Sequence, residues 1–238
     1  MARDRNAARF LKAQKNPALP PTLQIDNKSC LILNPDIEML KTLGRDEAPM
    51  LQCHGEGCEI LRLFKSCRKP LEMEIGFGMG RFLTARAKNN PQTHFLGIEL
   101  EQARVARTDV ALRNSNLDNV TLVRAQANSM LRFCIPDSSL NAVYLFFPDP
   151  WPKPRHHKNR IFQPLFIDMI HRILVPNGVL HVATDDDSYC AQMREVMENE
   201  TRFVEVEPLT RADDELTDFE LKFAAKKKAT HALSWKKL

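Results

Sequence analysis

The sequence predicts an α/β fold, with a mostly parallel sheet and helices on both of its faces. From residue 71 onward, short apolar runs alternate with segments of helical pattern, which is typical of parallel sheets. A glycine-rich turn follows the first run, and polar residues follow the others. Ligands of such sheets bind beyond the carboxyl ends of the strands. We therefore expect a single site at that edge.

Each predicted strand is a short run of apolar and β-branched residues that ends at a polar residue or a glycine. The run at 142–147 is apolar throughout, so both of its faces should be buried. The predicted strands are 71–75, 93–98, 120–125, 142–147 and 179–183.

Helical patterns fill most of the intervals between these strands. The pattern at 101–115 places arginines on its outer face. The pattern at 161–174 ends before Pro176, Asn177 and Gly178, which together are a helix stop signal. The predicted helices are 81–89, 101–115, 161–174 and 187–199.

Three regions are predicted along the chain. Residues 1–16 are predicted to be a mobile basic arm, with a solubilising tail as the alternative. Residues 17–70 form an irregular, proline-rich lead-in that packs on the core. Residues 71–238 form the main domain, which ends in a lysine-rich tail. The 238 residues suit one such domain.

Composition narrows the functional class. The net charge of +4 is too small to identify a nucleic-acid binder by itself. No apolar run is long enough to cross a membrane, and the N-terminus lacks a secretory signal. Six scattered cysteines are typical of reduced thiols in a cytoplasmic protein. Cys53, His54 and Cys58 lack the spacing of a zinc site, so we expect no metal.

The turn after the first strand contains Gly76, Gly78 and Gly80. It fails the dinucleotide fingerprint, because its sixth position is Arg81 rather than glycine. Glu74 stands two residues before the turn, where its charge would repel a pyrophosphate but attract a cation. S-adenosylmethionine carries both an ammonium and a sulfonium. Glu99 ends the next strand, where an acid can accept hydrogen bonds from ribose hydroxyls.

A proline-rich loop follows the fourth strand. Prolines at alternate positions from 148 to 154 make it stiff and extended. Asp149 lies between two of them and is therefore a preorganised acceptor at the expected cofactor edge. Trp151 offers a stacking surface for a base. The basic run at 153–160 either grips phosphates or is simply solvated.

With these motifs, the chain resembles the bacterial-type tRNA (guanine-N7-)-methyltransferase family. The resemblance covers LEMEIGFGMG (71–80), GIE (97–99), LFFPDPWPKPRHHKNRI (145–161), ATD (183–185) and TDFE (217–220). It implies a Rossmann-like class I methyltransferase fold that uses S-adenosylmethionine. It also implies methylation of N7 of a guanine in the variable region of tRNA, at position 46.

The resemblance also implies roles for individual residues. Asp149 corresponds to the catalytic aspartate and lies beside the cofactor. Two positions depart from the family pattern, since glutamine stands at 126 and aspartate at 218. The implied cofactor-binding residues are Glu74, Gly76, Gly78, Gly80, Glu99, Gln126 and Asp149. The implied substrate-binding residues are Lys153, Arg155, Asp185, Thr217, Asp218, Phe219 and Glu220.

The expected partner is tRNA, held by the arm, the basic run and the tail lysines, with no obligatory protein partner. Two alternatives stay open from the sequence. One is a methyltransferase that acts on an exocyclic amine of a base, although such enzymes often have two consecutive prolines where this chain has Pro-Asp-Pro-Trp. The other is an RNA-binding relative without activity.

Overall fold

The computed structural model describes residues 59–238 and, before them, two strands of three residues each. The predicted arm at 1–16 and most of the lead-in, including Cys53, His54 and Cys58, lie outside the described residues. The strands are β1 Gln24–Asp26, β2 Cys30–Ile32, β3 Leu71–Ile75, β4 His94–Glu99, β5 Val120–Arg124, β6 Leu140–Phe146, β7 Leu174–Thr184, β8 Phe203–Val206 and β9 His231–Lys237.

Seven α-helices and two short 3₁₀ helices lie among the described residues. The 3₁₀ helices are Pro154–Asn159 and Asp213–Glu215. The α-helices are α1 Glu59–Ser66, α2 Arg81–Asn89, α3 Gln102–Asn114, α4 Ala127–Phe133, α5 Pro164–Ile173, α6 Asp187–Glu198 and α7 Asp218–Ala225.

The described strands form one sheet in the order β1-β2-β5-β4-β3-β6-β7-β9-β8. The six strands from β2 to β7 are parallel, whereas β1 runs antiparallel to β2 and β9 runs antiparallel between β7 and β8. The chain builds outward from β3 through β4 to β5 and then crosses back to β6. This reversal places the topological switch point at the carboxyl ends of β3 and β6, where ligands of such sheets bind.

Both faces of the sheet are covered by buried apolar side chains, which confirms the predicted α/β class. One face packs Met73 and Ile75 against α4, α5 and α6. The other packs Phe82 and Leu83 of α2, together with Leu112 of α3, against Phe95 and its neighbours. Because side chains alternate along β3, Glu72 and Glu74 point toward the second face.

The structure differs from the sequence expectation in several elements. Helix α4 was not expected between β5 and β6, and the supposedly irregular lead-in contains α1 and two short strands. Strand β7 begins at Leu174, before the Pro-Asn-Gly stop signal. In its pairing with β6, Leu174 lies opposite Leu140, but Val179 lies opposite Ala142. Strand β7 therefore has extra residues between these two pairs, and Asn177 among them has a φ of 65°.

The lysine-rich tail is not free in solution, and the expectation that all its lysines meet RNA is wrong. Its residues form α7 and β9. Lys237 is buried and donates to the carbonyls of His171 and Leu174, each at 2.7 Å. In contrast, Lys222, Lys226 and Lys227 are exposed. These three lysines are available to a polyanion without any change in the fold, whereas Lys237 is not.

None of the helices in the described part of the chain has the length and apolar character needed to cross a membrane. The same residues contain no group of three or more His, Cys, Asp or Glu side chains arranged to hold a metal ion.

Candidate active site

The carboxyl ends of five of the parallel strands bring the sequence-predicted site residues to one edge of the sheet. Gly76 follows β3, Glu99 ends β4, Gln126 follows β5, Asp149 follows β6, and Asp185 follows β7. These positions are spread over more than a hundred residues of sequence. The parallel register, rather than proximity in the chain, makes them neighbours.

The glycine turn after β3 adopts a conformation that other residues rarely take. Gly76, Gly78 and Gly80 have φ values of 74°, 57° and 73°. A Cβ atom at Gly80 would lie 2.3 Å from Cγ2 of Thr108, so this glycine lets α2 pack closely on α3. Beside Gly76 there is open space within 4 Å. The turn therefore leaves room for a ligand to approach its backbone.

Glu99 ties the turn to the end of β4. Its carboxylate accepts hydrogen bonds from the backbone N–H groups of Gly78 at 3.0 Å, Leu100 at 2.8 Å and Glu101 at 3.0 Å. Arg104 lies 3.6 Å from the same carboxylate. Side-chain burial and these bonds fix the position of the negative charge next to the glycine turn.

Glu74 is a buried carboxylate at the end of β3 that lacks a partner for one oxygen. Only 3% of the residue is exposed, and its Oε2 has no hydrogen-bond donor among the described residues. Burial, reinforced by the nearby Glu99 carboxylate and opposed by Arg211, raises the pKa of Glu74 to about 8. A site that holds an unpaired acid here is suited to a ligand that carries positive charge.

These features fit S-adenosylmethionine. The orphaned Oε2 of Glu74 can receive a cationic group, and the open space at Gly76 can receive the body of the cofactor. Glu99 retains acceptor capacity for ribose hydroxyls, since each carboxylate oxygen can accept more than one hydrogen bond. A pyrophosphate would instead be repelled by the negative charge of the carboxylates.

Gln126 is the N-cap of α4. Its side-chain oxygen accepts hydrogen bonds from the backbone N–H of Ser129 at 2.9 Å and from the Ser129 hydroxyl at 3.0 Å. The residue is exposed, and its amide nitrogen has no partner among the described residues. Capping therefore occupies the oxygen, and only the NH₂ group remains for the expected contact with an adenine.

The proline loop presents Asp149 to solvent between two strained residues. Phe147 and Trp151 have φ values of 51° and 43°, which aromatic side chains rarely adopt. Asp149 between them is exposed, and no other described residue forms a hydrogen bond or ion pair with its carboxylate. Because β6 pairs directly with β3, the loop that carries this free acceptor leaves the sheet beside the strand that leads into the glycine turn.

The basic run after the loop divides into two parts. Lys153, Arg155 and Lys158 are exposed, as expected for side chains that meet phosphates. Arg160 is only 2% exposed and donates to the Pro150 carbonyl at 2.8 Å. The expectation that the whole run faces RNA is therefore wrong at Arg160, which belongs to the protein interior.

The Thr217–Glu220 stretch begins α7 as a capping box. The Thr217 hydroxyl accepts from the Glu220 backbone N–H at 3.2 Å, and Glu220 accepts from the Thr217 backbone N–H at 2.8 Å. Arg211 donates to both oxygens of Glu220 and stacks 4.8 Å from the Phe146 ring. Asp218, between these caps, is exposed. Thr217 and Glu220 thus hold α7 against the end of β6.

Aromatic rings join α7 to the proline loop. Phe219 is 48% exposed and packs 5.9 Å from Phe147, while Phe223 lies 5.5 Å from Phe147. Trp151, on the other side of Asp149, is 37% exposed. The exposed rings of Trp151 and Phe219 thus offer apolar surface on the proline loop and on the helix packed against it, which is suited to stacking a flat base.

Asp185, at the end of β7, forms an ion pair with Lys228. This predicted substrate-binding carboxylate is therefore paired within the protein, with a lysine that follows α7. Sequence reasoning missed this pairing, as well as Arg211 and the internal position of Arg160. Arg211 has no motif around it, and it is brought to the site only by the path of the chain from β8 to α7. Spacing alone gave no signal for it.

Comparison with known proteins adds family information. Residues 68–233 match a family model described as a putative methyltransferase. A tRNA (guanine-N(7)-)-methyltransferase of Chromohalobacter salexigens is 43% identical over 144 residues, which are 60% of this chain and 58% of that protein. The protein of the same name from Idiomarina loihiensis is 43% identical over 56% of this chain and 54% of its own length. The chain thus spans just over half the length of these curated relatives.

Among solved structures, the 16S rRNA methyltransferase KamB has a TM-score of 0.54 at 12% identity and covers 77% of this chain and 94% of its own. At this identity the likeness concerns the fold alone. It confirms the Rossmann-like class I methyltransferase fold that the motifs predict.

Proposed function

We propose, because this chain belongs to the putative methyltransferase family, that it transfers a methyl group from S-adenosylmethionine to N7 of a guanine in tRNA. The names of the relatives that share 43% of their aligned residues with it support this choice of base and atom. The observation that carries the proposal is the free carboxylate of Asp149, on the loop after β6. This strand pairs with β3, which leads into a glycine turn that suits a cationic cofactor.

Glu74, Glu99 and the glycine turn would hold the cofactor. S-adenosylmethionine, when bound, supplies a methyl group activated by the positive charge of its sulfonium. The buried carboxylate of Glu74, at the end of β3, would lie near this positive charge. Glu99, at the end of β4, fixes the glycine turn by accepting a hydrogen bond from the Gly78 N–H. Gln126 offers a donor to the adenine edge from the end of β5.

Guanine N7 carries a lone pair and no proton, so no base is needed to activate it. The main task of the protein is to orient the base. Asp149 accepts a hydrogen bond from N1–H or from the exocyclic amine of guanine, which fixes the ring and raises the nucleophilicity of N7. Its negative charge also stabilises the positive charge that develops on the ring. The exposed rings of Trp151 and Phe219 bracket the base during this step.

The tRNA backbone would bind along the exposed cations around the loop and α7. Lys153, Arg155 and Lys158 lie on the loop side, whereas Lys222 lies on α7 and Lys226 directly follows it. They contact phosphates without reading sequence. The location of the guanine in the variable region, at position 46, follows from the family resemblance. So does the cytoplasmic setting without an obligatory protein partner, and both remain part of the proposal.

Nucleoside mass spectrometry of tRNA after incubation with the protein and S-adenosylmethionine tests the proposal. We expect 7-methylguanosine in the wild-type reaction and, with Asp149→Ala, a loss of turnover of about 100-fold or more at unchanged cofactor affinity. An N2- or N6-methylated nucleoside would indicate an exocyclic-amine methyltransferase instead. No methylated product with intact tRNA binding would indicate an inactive relative.

A further inference from the structure

The loop around Asp149 is held in a conformation that it would not choose by itself. Phe147 and Trp151 both have left-handed backbone angles, and each such residue costs on the order of 1 kcal/mol or more. Backbone of this kind persists only where surrounding contacts fix it. The prolines at 148, 150 and 152 have no backbone N–H groups, so the loop must be fixed through other groups.

One end of the loop is anchored to the sheet. The backbone N–H of Phe147 donates to the carbonyl of Ala183 on β7 at 2.8 Å. This bond fixes the residue where the chain leaves β6. It leaves the stretch from Pro148 onward to be fixed by something else.

The other end is anchored by the side chain of Arg160. Its Nε donates to the carbonyl of Pro150, the residue directly after Asp149, at 2.8 Å. Its two terminal nitrogens donate to Gln192 Oε1 at 2.8 Å and to Ser188 Oγ at 2.7 Å, both on α6. The guanidinium also stacks on Tyr189 at 4.6 Å. A single planar group therefore connects the loop to a helix.

Arg160 is nearly as buried as the apolar core, which makes this arrangement costly unless every donor is satisfied. The fork of an arginine can bind the loop and the helix at once, whereas the single ammonium of a lysine has no such geometry. Asp186 adds opposite charge at 3.6 Å. A buried cation thus forms the second anchor of the strained loop, at the Pro150 carbonyl.

We propose that Arg160 is a positioning residue, which holds Asp149 in its working place through the Pro150 carbonyl. This inference rests on the proposed function of Asp149. Arg160 itself does not touch the substrate; it acts through the backbone of the loop. The negatively charged RNA therefore meets Lys153 and Arg155, while Arg160 stays inside and sets where the acceptor points.

The test compares Arg160→Lys with Arg172→Lys. Arg172 also donates to backbone carbonyls, including Ile135 at 2.9 Å, but it lies at the amino ends of the strands, away from the loop. For Arg160→Lys we expect kcat for tRNA methylation to fall by roughly 10- to 100-fold, with cofactor affinity within about twofold of wild type. For Arg172→Lys we expect kcat to stay at the wild-type value. Equal losses in both variants would overturn the proposal.

Combination with Asp149→Ala separates positioning from general damage. If Arg160 acts through Asp149, Arg160→Lys should cause no further loss of kcat once Asp149 is absent. If the two losses multiply instead, the proposal fails. Should Arg160→Lys not fold, Gln192→Ala replaces it, because this change removes one anchor of the same guanidinium and keeps the charge buried.

Trp151 gives a readout that does not depend on activity. In a Trp235→Phe background Trp151 is the only remaining tryptophan, since the chain has two. We expect Arg160→Lys to increase acrylamide quenching of Trp151 fluorescence, and Arg172→Lys to leave it unchanged. Quenching that Arg160→Lys does not alter would overturn the proposal. Absence of 7-methylguanosine with the wild-type protein would instead refute the proposed function, while this fluorescence comparison would still report on the loop.

Discussion

At the scale of single residues, Glu74 combines a buried position with a pKa of about 8, caused mainly by burial. At neutral pH without cofactor, this carboxyl is therefore mostly protonated. A bound cation favours the ionised form and lowers the pKa. Cofactor binding should then release a proton, and this links affinity to pH.

The sign of this linkage can be tested. Below pH 8 the free protein holds a proton that binding must expel, so cofactor affinity should rise as the pH approaches 8 and then level off. Titration calorimetry between about pH 6 and pH 9, in buffers of different ionisation enthalpy, measures both the affinity and the released proton. In Glu74→Gln, binding should be weaker and lose this pH dependence. A wild-type affinity that is constant over this range would contradict the assignment.

The same carboxyl should weaken the cofactor-free fold at high pH. Its folded pKa of about 8 lies above the ordinary value of 4.5, so stability falls as pH rises from the lower value through the higher one. Glu74→Gln should therefore raise the Tm of the cofactor-free protein at pH 8 and leave it nearly unchanged at pH 4. Thermal unfolding followed by circular dichroism measures the difference.

At the scale of elements, α7 begins with reciprocal hydrogen bonds between Thr217 and Glu220. Loss of such a cap costs about 1 kcal/mol, which is roughly a fivefold change in the opening equilibrium of the helix. Thr217→Val should therefore speed amide exchange across Asp218–Ala225 and raise KM for tRNA. Thr217→Ser keeps the hydroxyl and is the matched control. Equal exchange protection in both variants, measured by hydrogen exchange with mass spectrometry, would contradict the role of the cap.

Strand β9 provides a second test at this scale, through two adjacent lysines. Lys237 is buried against two carbonyls, whereas Lys236 is partly exposed. Lys237→Met keeps the apolar stem but leaves both carbonyls without their donor, at a cost of about 1–3 kcal/mol. Lys236→Met should change the free energy of unfolding by less than about 0.5 kcal/mol. Urea unfolding of the two variants should separate them, and equal midpoints would refute the structural role of Lys237.

At the scale of the whole molecule, the net charge of +4 conceals an uneven distribution. Exposed cations lie on the proline loop and on α7. We therefore expect the logarithm of the association constant for tRNA to fall linearly with the logarithm of the salt concentration. The double variant Lys153→Ala, Arg155→Ala should reduce the slope by about 1–2. Fluorescence anisotropy with labelled tRNA measures it. The double variant Lys65→Ala, Lys69→Ala, in and after α1, should leave the slope unchanged, and a slope independent of salt would contradict the proposed interface.

The sequence was most informative where local patterns decide structure. The apolar run of β3, the glycine turn and the alternating prolines predict the central sheet and the placement of Glu74, Glu99 and Asp149. It was least informative beyond α6. The lysines of β9 resemble those of a solvated tail, and only the neighbouring strands make them part of a sheet. Burial of Arg160 likewise depends on partners about thirty residues away, in α6.

The position of β9 has a consequence for how the chain is made. Strand β8 pairs with β9, and β9 in turn covers the outer edge of β7. While β9 is still inside the ribosome, β8 has no strand beside it and the edge of β7 presents unpaired backbone groups to other nascent chains. During synthesis this edge is therefore a place where nascent chains can associate, and the pairing of β9 with β7 removes it.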